Sequence, residues 1–107
     1  MARKKHNGPP FVMLERVTLK SEEWKMLSLA EKLIYIKIKA NYNGFNNGEI
    51  PFRYSEVRGE AGFKSDATIS KALKGVKKKG WIEITQYGGL HRFYCKYRLT
   101  GKYDRLR

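Results

Sequence analysis

A chain of 107 residues, 41% hydrophobic and 13% aromatic, has room for one domain with one modest core, which excludes two domains and wholesale disorder. Lys and Arg number 23 against 10 Asp and Glu, a net charge of +13, which favours polyanionic partners, nucleic acid first and an anionic membrane surface second. No apolar run approaches the roughly 18 residues of a membrane span, and the single cysteine, Cys95, forbids an internal disulfide, so a soluble, cytoplasmic setting is expected.

The charge is uneven. Residues 1–61 hold 11 basic and 7 acidic side chains, whereas residues 62–107 hold 12 and 3, so the polyanion site is expected in the second half. In chain order, residues 1–10 read as a flexible basic arm: Arg3, Lys4 and Lys5 form a charge run that Gly8-Pro9-Pro10 closes. The apolar run Phe11–Leu14 reads as a strand or as an extended segment packed on the domain. Ser21 is placed to cap a short helix containing Glu22, Glu23 and Trp24. Ser28 with Glu31 makes a capping box that opens a helix from Leu29 to about Tyr42. That helix carries two apolar stripes: Leu29, Leu33, Ile36 and Ala40; and Ala30, Ile34, Ile38 and Tyr42. Lys32 and Lys39 are assigned to its polar face. A helix apolar on two sides is either central in the domain or covered by another subunit.

Asn43-Gly44-Phe45-Asn46-Asn47-Gly48 has loop chemistry, and Glu49–Phe52 reads as a short edge strand, where Pro51 is tolerated. A short helix is predicted from Tyr54 to Ala61, ended by Gly62 in the left-handed conformation. Ser65 caps the next helix, which turns Ile69, Ala72, Leu73 and Val76 to the core and stops at Gly80. Trp81–Gln86 is a strand, Tyr87-Gly88-Gly89 a hairpin turn, and Leu90–Leu99 the returning strand. The returning strand alternates His91, Phe93, Cys95, Tyr97 and Leu99 against Arg92, Tyr94, Lys96 and Arg98. Residues 101–107 read as a basic tail. Two helices about a turn, followed by a two-stranded ribbon, give an α+β fold of the winged helix-turn-helix type over residues 11–100.

The chemistry is expected on the helix that Ser65 opens. At 100° per residue, its solvent side holds Ala67, Ser70, Lys71, Lys74 and Lys78, with Thr68 and Lys77 on the flanks and Lys64 just before the cap. Small residues near the N-terminus let a helix sit deep in a major groove about 12 Å wide. Thr68 and Ser70 are suited to base edges or phosphates, and Lys71 and Lys74 to guanine acceptors or phosphate oxygens. Lys77, Lys78 and Lys79 are expected at the groove rim on backbone phosphates. The hairpin, with Tyr87 at its tip and Arg92 beside it, is the expected second contact. Neutralising about six to eight phosphates makes affinity fall about 10³-fold or more between 50 and 200 mM salt.

Asp66-Ala67-Thr68-Ile69-Ser70-Lys71-Ala72-Leu73-Lys74, followed by Lys79-Gly80-Trp81-Ile82, resembles the recognition helix and first wing strand of many bacterial winged-helix transcriptional regulators. Phe11–Leu14, Ser28–Lys32, Tyr42–Ile50 and Tyr97–Thr100 resemble small winged-helix proteins of phages and mobile elements, some linked to replication or its control. The resemblance implies sequence-specific binding of double-stranded DNA through Thr68, Ser70, Lys71 and Lys74, in transcription regulation or replication control. Gly75 departs from the bulky or charged residue usual after that core, and loosens the helix by about 1 kcal/mol relative to Ala.

His6, His91 and Cys95 lie at no metal spacing, so neither metal nor cofactor is expected. The acids read as helix-end charges, and no nucleophile–base set is evident, so an enzyme is not expected. The alternatives to DNA binding are a winged-helix protein-interaction adaptor and an RNA-binding module. A homodimer is expected on two half-sites, with the Ala30–Ile34–Ile38–Tyr42 stripe or Phe11–Leu14 as its interface.

Overall fold

Serine caps open three of the four helices that the sequence predicts. Ser21 accepts from the Trp24 amide at 3.2 Å, Ser28 from the Glu31 amide at 3.1 Å, and Ser65 from the Thr68 amide at 3.3 Å. At Ser28 the box closes: the Glu31 carboxylate accepts from the Ser28 amide at 2.8 Å. The computed structural model describes residues 11–60, 63–86 and 95–105. Within them the chain is α+β, with helices α1 (Arg16–Lys20), α2 (Glu22–Lys25), α3 (Leu29–Ala40) and α4 (Asp66–Lys78). Strands β1 (Ile50–Phe52), β2 (Ile82–Gln86) and β3 (Cys95–Leu99) form an antiparallel sheet in the order β1-β3-β2.

The register pairs Ile50 with Tyr97 on one side of β3 and Ile84 with Tyr97 on the other. Tyr97 and Leu99 turn inward and are buried, whereas Lys96 and Arg98 turn outward, as the period-2 alternation requires. The outward pair meets acids: Arg98 Nε donates to Glu83 on its partner strand at 3.0 Å, and Lys96 lies 3.6 Å from Glu49. β1 is an edge strand with Pro51 at its centre.

Phe11–Leu14 forms no strand, and of its residues Leu14 packs against the core. The helix predicted over Tyr54–Ala61 is corrected: a single 3₁₀ turn spans Tyr54–Glu56, and turns follow. Gly59 adopts φ +88°, a left-handed geometry that breaks helix three residues before the predicted stop. Gly62, assigned that role from the sequence, lies outside the described residues. The predicted hairpin tip also lies outside them, as does the first part of the returning strand.

The inward face of α3 is Glu31, Ile34, Tyr35 and Ile38, spaced i, i+3, i+4 and i+7. Ile34 and Ile38 are 0% exposed and Ala30 and Tyr42 half-buried, so the centre of the stripe proposed as a dimer interface is domain core, and Ile34 and Ile38 are corrected in that role. The other stripe faces outward at its ends, with Leu29 83% exposed. Lys39, placed on the polar face, is buried.

Lys39 is buried because it has an internal partner. Asp104, 2% exposed, pairs with Lys39 and accepts from the Tyr35 hydroxyl at 2.7 Å. It also lies 3.2 Å from the Thr18 hydroxyl and accepts from the Glu15 amide at 3.3 Å. The start of the segment read as a basic tail is thus anchored against α1 and α3. Next to this junction Trp81 packs edge-on against Trp24 and Tyr35, with centroids 5.6 and 5.1 Å apart, and lies 4.9 Å from Tyr103. These rings close the end of the core from which α4 leaves into β2.

Candidate nucleic-acid interface

α4 is amphipathic in the way its sequence dictates. Ile69, Ala72, Leu73 and Val76 are buried; Ala67, Lys71, Lys74, Lys77 and Lys78 are exposed. Thr68 and Ser70 are half-buried along the boundary, and Lys64 is exposed just before the Ser65 cap. The Thr68 hydroxyl lies 3.2 Å from that of Ser65, so it takes part in the cap as well as facing outward. Among the described residues, Lys64, Lys71, Lys74, Lys77 and Lys78 enter no ion pair. Their ammonium charges therefore face solvent without internal compensation, an arrangement suited to phosphate oxygens.

The one acid in α4, Asp66, would repel a phosphate at the helix N-terminus. It is held by Arg58, whose Nε and second guanidinium nitrogen donate to its two oxygens at 2.9 and 2.8 Å. These bonds outweigh desolvation and, with a smaller contribution from the guanidinium charge, keep the Asp66 carboxyl below its usual range. This pair is not legible from local spacing, because the two residues meet across a turn rather than along one helix.

Lys79 does not stand with its neighbours. Its Nζ donates to the Met26 carbonyl at 3.0 Å and to Glu31 Oε1 at 2.7 Å, so its expected place among the phosphate ligands is corrected: the charge is committed within the fold. Burial alone would raise the Glu31 carboxyl. The Lys79 bond and charge, with the Ser28 amide and hydroxyl, outweigh it and hold the group below its usual value of 4.5. Gly75 explains how the carboxylate gets there. A Cβ at that position would lie 1.8 Å from Glu31 Oε2 and 2.8 Å from its Cδ. Gly75 is thus the gap through which α3 reaches α4, a role that helix propensity alone does not reveal.

Tyr87 and Arg92, assigned to the hairpin, lie outside the described residues. The structure brings the α4 candidates together on one face and leaves the second contact undescribed. Comparison with protein families, curated proteins and solved structures finds no match to this chain. Among the described residues no three His, Cys, Asp or Glu side chains gather as metal ligands, and no helix is long and apolar enough to cross a membrane.

Proposed function

We propose that this chain is a winged helix-turn-helix domain that binds double-stranded DNA, with α4 in the major groove. The observation that carries the reading is the outer face of α4: Lys71, Lys74, Lys77 and Lys78 exposed and unpaired among the described residues, opposite a fully buried apolar face. The element order is compatible with it: α3, then β1 and the 3₁₀ turn Tyr54–Glu56, then α4, followed by β2 and β3 as the ribbon. The Arg58–Asp66 pair supports it too, because it mutes the acid nearest the groove. Thr68 and Ser70 are assigned to base edges or phosphates near the N-terminal end, Lys71 and Lys74 to bases or backbone, and Lys64, Lys77 and Lys78 to backbone. On sequence grounds Arg92 and Tyr87 are assigned to the flanking minor groove or backbone.

Fluorescence anisotropy with a labelled random-sequence duplex tests this. The wild-type chain is expected to bind, weakening about 10³-fold between 50 and 200 mM salt. Lys71→Glu with Lys74→Glu should abolish binding with an unchanged circular dichroism melt. A flat salt response, or an unaffected double variant, overturns the reading; preferential competition by RNA moves it to the RNA-binding alternative. Selection from a random duplex library then separates regulation from replication, since a palindrome points to a dimeric regulator and iterated direct repeats to an initiator. Any dimer must use a surface other than Ile34 and Ile38, and exposed Phe11 and Met13 are the place to substitute first.

A further inference from the structure

Resting on that reading, we infer that the phosphate-binding surface continues beyond α4, over Gly80, onto Lys102 and Lys32, so that the duplex backbone is held where it leaves the groove. The first observation is a tether. The Thr100 hydroxyl donates to the Gly80 carbonyl at 2.8 Å, and the Lys102 amide donates to the same hydroxyl at 3.3 Å. Lys102 is therefore fixed to the turn that ends α4, although 22 positions separate the two residues in the sequence.

The second observation is how the two ammonium groups are held. Lys102 Nζ lies 5.3 Å from the centroid of the Tyr103 ring, and Lys32 Nζ 5.7 Å from that of Trp24. Both rings belong to the cluster built around Trp81, the residue after Gly80. A cation over an aromatic face is positioned without being neutralised. Among the described residues neither lysine has an acid partner. Lys79, one residue before Gly80, does have one, in Glu31. The contrast separates a lysine that holds the domain together from two that are ordered and left charged. Charge complementarity with a polyphosphate backbone running past Lys77 and Lys78 selects duplex DNA as the occupant.

The test is the salt dependence of duplex binding by Lys32→Gln/Lys102→Gln. The slope of log affinity against log salt should become shallower by about 1.8, since each phosphate contact contributes about 0.9. Lys32→Arg/Lys102→Arg should retain the wild-type slope, and a duplex cut back to the α4 half-site should erase the difference between variant and wild type. The inference is overturned if the Gln variant, shown folded by its melt, keeps the wild-type slope on the longer duplex while Lys71→Glu/Lys74→Glu still loses binding. If the wild-type chain binds no duplex, the proposed function itself has failed, an outcome distinct from the first.

Discussion

α3 and α4 pack against each other and differ by one residue in length, yet they use their charges in opposite ways. α4 keeps its core face free of charged side chains and sends its lysines outward. α3 carries Glu31 and Lys39 on buried positions and leaves Leu29 in solvent. The difference lies in what surrounds each helix. α3 is flanked by α4, β1 and the C-terminal segment, so its two buried charges meet built-in partners: Lys79 for Glu31, Asp104 for Lys39. Among the described residues α4 has its packing partners on one side, so its outer cations keep their charge for something outside the domain. An ion pair inside α3's surroundings specifies how segments dock; an unpaired ammonium on α4 is available for recognition.

The comparison is broken most severely at Asp104. Asp104→Ala should cost about 3–5 kcal/mol in urea unfolding, because it strands the Lys39 ammonium in the core and leaves the Tyr35 hydroxyl unpaired. Loss comparable to a surface substitution would mean that the junction opens to water. Ile34→Ala, on the buried side of α3, should cost about 2–5 kcal/mol, while Leu29→Ser on its exposed side should stay within about 0.5 kcal/mol.

A sharper probe is Gly75→Ala. By propensity alone it stabilises a helix by about 1 kcal/mol. Here the methyl group must displace the Glu31 carboxylate from its cap and from Lys79, so a net loss of about 1–2 kcal/mol is expected. In a Glu31→Ala background the same substitution should become stabilising, a sign reversal that a double-mutant cycle reads directly.

The smallest effect is the response to acid. The folded Glu31 carboxyl sits below its usual 4.5, so its contribution is complete above that value and is lost as pH falls through the lower folded one. Thermal melts of Glu31→Gln should show a shallower decline than wild type below pH 4.5, and parallel curves would remove Glu31 from the account.

Local chemistry by itself settled much of this protein. The three serine caps, the Glu31 box, the inward set of α4, the edge strand with Pro51 and the alternation of β3 all depend on neighbours a few residues apart. The candidate lysines on α4 were legible for the same reason. What only the tertiary structure decided involves partners distant in sequence: α1, pinned through Thr18 to Tyr103 and Asp104; the inward turn of Lys39; the withdrawal of Lys79 from its neighbours; and the need for glycine at position 75. A period in the sequence reports which residues share a face. Whether a charge on that face is buried, paired or free depends on what the fold brings against it, and such a partner lies up to 90 positions away, as Arg105 does from Glu15.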